Sequence, residues 1–186
     1  MERFYLEVPC LERKEEAIAY IKEFQEYGSQ INGAGGLNHY LEDYEGWLLS
    51  EEAYNLYAPC MYEPTYGKYN EMMTSLLQSQ EVEIYVYRTE HYAAGMLVLE
   101  VKDASAEITG IAVNPGCRHF GIGRKLVKQA MESGRITKLY AETDEEGVGF
   151  YRGCGFTVEA VMKHYPNGAV TRYSCVLQTE SQGINE

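Results

Sequence analysis

The chain has 186 residues, of which 45% are hydrophobic, and this length suits one well-buried domain rather than two. Its formal net charge of −12 argues against a nucleic-acid backbone or an anionic membrane surface as the main partner, whereas a small cation would be attracted. The five cysteines are widely spaced and show no C-x-x-C or zinc-finger pattern, so we expect a reducing, cytoplasmic setting and no metal site. The charged start "MERFYLEVPC" lacks the apolar run of a signal peptide, and we expect no membrane span.

The first 80 residues mix short elements with turns. "RFYLEV" predicts a first strand, and "LERKEEAIAYIKEFQEYG" predicts an amphipathic helix that ends at Gly28. The segment "INGAGGLNHY" is typical of a loop, "LEDYEGWLLSEEAYNLY" indicates one or two short helices, and "APCMYEPTYGKY" is rich in turn residues. A further helix is predicted over "NEMMTSLLQS".

Strand patterns dominate the rest of the chain. "EVEIYVYR", "AAGMLVLEVK" and "AEITGIAV" predict an antiparallel meander, and "GIGRKLVKQAMESG" then predicts a helix with one apolar stripe. "KLYAET" predicts a strand parallel to "AEITGIAV", because a helix connects the two. A short helix over "EEGVGFYRGCG" and a hairpin turning through "PNGA" follow. We therefore expect an α+β fold with a mixed, mostly antiparallel sheet, a central parallel strand pair and flanking helices.

Two glycines mark the start of the helix after "AEITGIAV". The first backbone N–H groups of a helix have no partner within it, and the helix dipole makes that end partly positive. Gly121 and Gly123 would let a pyrophosphate approach the backbone, while Arg118 and Arg124 would add positive charge. A tight turn that simply starts a helix with glycine is the alternative. No G-K-[ST] follows, so this is not a Walker loop.

Two sequence blocks carry a family resemblance. "GIAVNPGCRHFGIGRKLVKQAM" resembles the acyl-coenzyme A signature R/Q-x-x-G-x-G/A of the GNAT superfamily of N-acetyltransferases, and "AETDEEGVGFYRGCGF" resembles the family's later motif. The resemblance implies one GNAT-like domain over residues 1–186. Residues 1–80 would form a divergent part on the acceptor side, 81–178 the acetyl-coenzyme A-binding core, and 179–186 a tail.

The resemblance also implies where acetyl-coenzyme A would bind as cosubstrate. The backbone of Ile111 and Val113 would hold the pantetheine arm, in a gap where their strand splays away from "KLYAET". The pyrophosphate would meet the loop and the first helical turn, which comprise Arg118, His119, Phe120, Gly121, Ile122, Gly123 and Arg124. His119 has the alternative of being an ordinary surface histidine. Asp144 stands where the family usually has an asparagine, and Gly147 replaces the usual alanine, which puts the contact with the pantetheine arm on that side in doubt.

Two residues match catalytic positions of the family. Tyr151 matches the tyrosine that donates a proton to the departing thiolate, with packing of the short helix as the alternative. Glu107 occupies the position of a glutamate that deprotonates the amine, and it could equally be a solvated strand-end carboxylate. Glu142 is a weaker competitor for this role. Cys117 and Cys154 offer an acyl-cysteine route, although neither has an activating base visible in the sequence.

The resemblance thus predicts an acetyltransferase acting on a primary amine of a small molecule or peptide, with no nucleic-acid or membrane partner. The alternatives are a non-catalytic coenzyme-binding sensor or partner-binding module, and a transferase of longer acyl groups. The tyrosine-rich segment "YNLYAPCMYEPTYGKY" could shape a pocket for an amine with an apolar or ring-bearing body, with Glu63 or Asp43 near the ammonium group. Otherwise these tyrosines pack against the sheet or form a homodimer interface.

Overall fold

The computed structural model describes residues 44–89, 92–165 and 168–178. The predicted first strand, the amphipathic helix ending at Gly28, the glycine-rich loop and Asp43 lie outside these residues, as do Pro166 and Asn167 of the hairpin turn and the tail 179–186. The helices are α1 (Tyr44–Leu48), α2 (Glu51–Tyr57), α3 (Tyr66–Leu77), α4 (Ile122–Glu132) and α5 (Val148–Gly153). The strands are β1 (Val82–Arg88), β2 (Ala93–Lys102), β3 (Ser105–Val113), β4 (Lys138–Thr143), β5 (Thr157–Tyr165) and β6 (Gly168–Gln178).

The helices before the sheet begin at side-chain caps. Ser50 accepts a hydrogen bond from the backbone N–H of Ala53 at the start of α2. Thr65 likewise accepts one from the backbone N–H of Lys68, at 3.2 Å, so that α3 begins at Tyr66. The sequence pattern placed this start four residues later, because it followed the apolar residues and overlooked the threonine cap.

The six strands form one mixed sheet in the order β1-β2-β3-β4-β6-β5. The pairs β1–β2, β2–β3, β4–β6 and β5–β6 are antiparallel, and β3–β4 is parallel. The expected α+β fold, with its antiparallel meander and central parallel pair, is therefore confirmed. In addition, the last strand inserts between β4 and β5, an order that the strand patterns did not predict.

Each face of the sheet carries its own apolar core. On one face, α4 packs against β1, β2 and β3, and its buried residues include Leu126 and Val127. On the opposite face, α2 packs against β2 and β3, around a cluster that includes Trp47, Tyr57 and Tyr69. The Tyr69 hydroxyl donates to the Leu48 carbonyl at 2.7 Å, which satisfies this buried phenol. The two cores hold β3 rigidly between two helical layers.

No helix in the described part of the chain combines the length and the apolar character that crossing a membrane would require.

Candidate functional site

The parallel strands β3 and β4 separate soon after they begin to pair. Their pairing is confined to 105–107 on β3 and 138–140 on β4, although β3 continues to Val113 and β4 to Thr143. On its other edge, β3 carries a bulge against β2, where Val98 pairs with Gly110 and Leu99 pairs with Ile108, leaving Thr109 as the extra residue. A bulge bends and twists its strand. The result is a wedge-shaped gap in the middle of the sheet.

Backbone groups of β3 face this gap. The Asn114 N–H donates to the Ala94 carbonyl at 2.9 Å, which fixes the hydrogen-bonding alternation between β3 and β2. Alternate residues of β3 form hydrogen bonds with β2, and Ile111 and Val113 are the residues between them. Their N–H and C=O groups therefore point away from β2, toward the side where β4 has separated. The Arg118 guanidinium crosses back to β3 and donates from Nε to the Val113 carbonyl at 3.3 Å.

The N-terminus of α4 opens beside the gap. Gly121 is the N-cap residue with φ of 76°, a left-handed conformation that favours glycine, and a Cβ there would meet open space. Ahead of it, His119 also has a positive φ of 67°, and the side chains of Arg118, His119 and Phe120 are exposed. The Phe120 ring is 75% exposed. A helix start with free N–H groups, open space and an arginine is chemically suited to bind an anion.

Gly123 makes room for a neighbouring ring rather than for open space. A Cβ at this position would lie 2.7 Å from Cε2 of Phe150 on α5. The missing side chain therefore brings α5 close to the first turn of α4. This packing role accounts for the second glycine of "GIGRKL". The approach of a ligand at the backbone stays a prediction, and Gly121 has the open space for it.

The substitution Gly123→Ala is expected to destabilise the protein by about 1 to 3 kcal/mol, since the added methyl group overpacks the contact with Phe150. The free energy of unfolding from urea titration measures this. Gly149→Ala is the matched control, because Gly149 lies within α5 and a Cβ there has no neighbour within 4 Å. Alanine should leave stability unchanged or raised at position 149. Equal losses at both positions would contradict the packing role of Gly123.

The two arginines of the loop differ in their contacts. Arg124 donates from Nη2 to the Gly153 carbonyl at the end of α5. It also lies against Cys154, where it lowers the thiol pKa and so opposes the larger effect of burial, which raises it. Arg124 thus ties α4 to α5, while the exposed Arg118 is the arginine that faces the gap.

Asp144 organises the turn that leads from β4 into α5. Its Oδ1 accepts hydrogen bonds from the backbone N–H groups of Glu146, at 3.1 Å, and Gly147, at 3.0 Å. These bonds need an acceptor only, so a carboxylate serves where an asparagine would also fit. A methyl group on Gly147 would overlap Oγ1 of Thr143. The glycine in place of the family's usual alanine is therefore explained by local packing.

Tyr151 lies on α5 among the buried side chains of the α4 face. Its ring meets Phe150 and Phe156 edge-on, with centroids 5.1 and 5.2 Å away. The side chain is 7% exposed, and its hydroxyl has no hydrogen-bond partner among the described residues. Burial, followed by the nearby thiols of Cys175 and Cys60, raises the pKa of this phenol above its ordinary value.

Tyr151 and Cys60 belong to opposite faces of the sheet. Tyr151 is part of the α4 face, whereas Cys60 ends a 3₁₀ turn (Ala58–Cys60) that packs against β3 on the α2 face.

Glu107 stands where the two strands part. It is the last residue of β3 that pairs with β4, opposite Tyr140, and it lies opposite Glu100 of β2. Its side chain is exposed and forms no ion pair or hydrogen bond within the described chain. A carboxylate with these surroundings is free to accept a proton from solvent or from a bound group.

A family model of the acetyltransferase (GNAT) family matches residues 50–156 of this chain. The chain belongs to the GNAT family. The uncharacterized N-acetyltransferase YvbK of Bacillus subtilis (strain 168) is 32% identical, in a match covering 45% of this chain and 66% of that protein. The chain thus spans slightly less than two thirds of this relative's length.

Solved structures share the fold at low sequence identity. The ribosomal-protein-S18-alanine N-acetyltransferase from Escherichia coli superposes with a TM-score of 0.55 at 18% identity, covering 73% of this chain and 90% of that chain. A mutant of the spermidine N-acetyltransferase from Vibrio cholerae gives a TM-score of 0.51 at 19% identity, covering 63% and 76% of the two chains. The predicted GNAT resemblance is confirmed at the level of family and fold.

Glu142, the weaker candidate base, is engaged by two cations. Lys163 pairs with its Oε2 and Arg172 donates to its Oε1 at 3.1 Å. The hydrogen bond from Lys163, together with Arg172, lowers the pKa of this carboxyl. A carboxylate held by two cations is a poor proton acceptor. Of the two glutamates, Glu107 is therefore the one whose carboxylate has no cationic partner among the described residues.

The cysteines named as acyl acceptors have unfavourable surroundings. Burial raises the pKa of the Cys154 thiol, which lowers its thiolate fraction. Cys117 is buried and lies 3.2 Å from the Tyr92 hydroxyl. Within residues 44–89, 92–165 and 168–178, no three His, Cys, Asp or Glu side chains are grouped to hold a metal ion.

The tyrosine-rich segment divides between packing and exposure. Tyr66 donates its hydroxyl proton to the Leu49 carbonyl at 2.7 Å, so it fastens α3 to the end of α1. Glu63 pairs with Lys68 at 3.6 Å, leaving it poorly suited to hold a substrate ammonium group. Tyr62 is 87% exposed. Sequence reasoning missed Cys60, whose contact with β3 arises only when the 3₁₀ turn packs onto the sheet.

Proposed function

We propose that this protein transfers the acetyl group of acetyl-coenzyme A to a primary amine by direct attack of the amine. The observation that carries this proposal is the gap between β3 and β4. Backbone groups of Ile111 and Val113 face it, and α4 begins shortly after the end of β3. Tyr151 belongs to the buried cluster on the α4 face of the same sheet. Membership of the GNAT family supports the reaction class. The two solved relatives carry names of enzymes acting on amines.

The chain offers contacts for the pyrophosphate and for the pantetheine arm of acetyl-coenzyme A. Arg118, the exposed loop through Phe120, and the first-turn amides of α4 beyond Gly121 would hold the pyrophosphate. The backbone groups of Ile111 and Val113 would pair with the amides of the pantetheine arm. The open space at Gly121 and the early separation of the strands fit this ligand. When bound, acetyl-coenzyme A supplies an activated acetyl thioester.

Proton transfers would accompany the acyl transfer. A primary ammonium group has a pKa near 10.4 and must lose a proton before its nitrogen can attack. Glu107 would accept that proton, directly or through water. As the new C–N bond forms and the C–S bond breaks, Tyr151 would donate its proton to the departing sulfur, and the second proton lost by the attacking nitrogen would return to Tyr151, directly or through water. The products are the N-acetylated amine and the free thiol of coenzyme A, with one proton released overall from the ammonium form.

Free-thiol release from acetyl-coenzyme A across a panel of primary amines tests this proposal. We expect release that saturates with both acetyl-coenzyme A and one class of amine. Saturable binding of the coenzyme without amine-dependent release would overturn the enzyme proposal. That result would favour the alternative of a coenzyme-binding sensor of the same fold.

A further inference from the structure

A cleft of about 290 Å³ adjoins the gap on the face that carries α2 and α3. Thr109, the bulged residue of β3, and Cys60, which ends the 3₁₀ turn packed against β3, form part of its wall. Tyr57 also lines it, with its ring against Gly110. The cleft therefore begins where β3 leaves β4.

The outer part of the cleft is apolar. Met61, Met72 and Leu76 line it, and the exposed ring of Tyr62 contributes to its wall. No lysine, arginine or histidine is among its described lining residues. Methionine side chains adapt to irregular apolar shapes. Such walls favour a hydrocarbon or aromatic body, and they penalise a buried second charge that has no partner.

Two carboxylates on adjacent strands give this region a negative charge. Glu100 of β2 lines the cleft, and Glu107 is the residue of β3 that pairs with Glu100. Side chains opposite one another in an antiparallel pair are close neighbours, and like charges there repel. Neither carboxylate has a cationic partner among the described residues. A single ammonium group beside the pair would offset this repulsion.

We propose that the cleft binds the body of the acceptor and that the acceptor is a compact amine with one ammonium group and an apolar or ring-bearing body. This rests on the proposed function and specifies its substrate class. The cleft is at the small end of ligand sites, which usually span about 300 to 1,000 Å³. A polyamine would carry a second ammonium group into apolar walls, and a peptide N-terminus would bring uncompensated amide groups.

Three acceptors with the full chain and acetyl-coenzyme A test the substrate class: 2-phenylethylamine, spermidine and an alanine-headed peptide. We expect kcat/KM for 2-phenylethylamine to exceed the other two at least about tenfold. Preference for spermidine or the peptide would overturn the inference and leave the proposed function standing. If no amine releases thiol, the proposed function fails. Equilibrium dialysis of 2-phenylethylamine then tests whether the cleft binds a compact amine: saturable binding supports the inference, and no binding overturns it.

Filling the cleft separates this role from general destabilisation. Leu76→Phe should raise KM for 2-phenylethylamine, or its dissociation constant in dialysis, about tenfold, with little change in KM for acetyl-coenzyme A. Leu77→Phe is the matched control, because Leu77 is a partly buried residue of the same helix outside the cleft lining. Equal effects of the two variants on the amine would overturn the assignment.

Removing the charge at the cleft tests the ammonium contact. Glu100→Gln should raise KM for 2-phenylethylamine about two- to fivefold at low ionic strength and less at high salt, as expected for an exposed ion pair. Glu71→Gln is the control, since Glu71 is exposed on α3 and does not line the cleft. A salt-independent change, or the same change with Glu71→Gln, would overturn the proposed contact.

Discussion

Replacing Tyr151 by phenylalanine is expected to lower kcat by about 10² to 10⁴, the range typical of a lost proton donor. The ring contacts with Phe150 and Phe156 remain in this variant, and the hydroxyl has no hydrogen-bond partner within the described chain. The fold and the affinity for acetyl-coenzyme A should therefore change little. Thiol-release kinetics and coenzyme titration on the same preparation measure the two effects separately.

A second tyrosine provides the control for this substitution. Tyr165 is half-exposed at the end of β5, and Tyr165→Phe should leave kcat unchanged. If Tyr151→Phe weakens coenzyme binding as much as it lowers kcat, Tyr151 is a packing residue and not a proton donor.

The pH dependence gives an independent test of Tyr151. Burial raises the pKa of the Tyr151 phenol above its ordinary value of about 10, so the phenol is still protonated at pH 10. Activity should therefore rise with pH as the acceptor amine loses its proton, with no decline below about pH 10 from ionisation of this tyrosine. A descending limb near neutral pH that disappears in Tyr151→Phe would contradict this environment.

The substitution Gly110→Ala is expected to have the largest effect on stability, a loss of about 2 to 3 kcal/mol. A Cβ on Gly110 would lie 2.5 Å from Cζ of Tyr57 and 2.7 Å from its Cε2, with the hydroxyl closer still. Tyr57 is 3% exposed and packed within the core of the α2 face, so it has little room to move. Thermal unfolding should show a drop in Tm of roughly 4 to 12 °C for a chain of this size.

A double-mutant cycle with Tyr57→Phe identifies the cause of this loss. Removing the hydroxyl relieves the nearest overlap, so Gly110→Ala should be less destabilising by about 0.5 kcal/mol or more in the phenylalanine background. Tyr57→Phe alone supplies the reference for the lost hydroxyl. Additive losses would show that the alanine acts through the bulged backbone of β3 and not through Tyr57.

The local elements and the glycine at the start of α4 were open to prediction because their signals are short in range. The β-branched and aromatic runs over 82–113 predicted the meander, and the apolar stripe after Gly121 predicted α4. The positive φ of Gly121 agrees with a glycine at a helix start. The start of α3 was missed because the side chain of Thr65 caps the helix at a point where the sequence has no apolar periodicity.

Long-range contacts gave the motif residues roles that spacing does not encode. Gly123 and Arg124 belong to one motif but have different roles. The Phe150 ring packs against Gly123, whereas Arg124 donates a hydrogen bond to the Gly153 carbonyl. Glu107 and Glu142 are both carboxylates on strands of the parallel pair, and only the arrival of Lys163 and Arg172 from the terminal hairpin engages Glu142. These distinctions depend on residues 21 to 30 positions away in the chain.

By itself, the sequence determined the class of strands and helices, the parallel pair and the family, because hydrophobic periodicity, glycine positions and motif spacing are properties of neighbouring residues. Only the tertiary structure decided the insertion of β6 between β4 and β5 and the cleft between Thr109 and α3. The separation of β3 from β4 had been implied by the family resemblance, and the structure shows where it begins. These features depend on the packing of elements distant in the chain, such as the 3₁₀ turn at Cys60 against β3. That packing is set by the shapes of both partners together, and neither segment carries it alone.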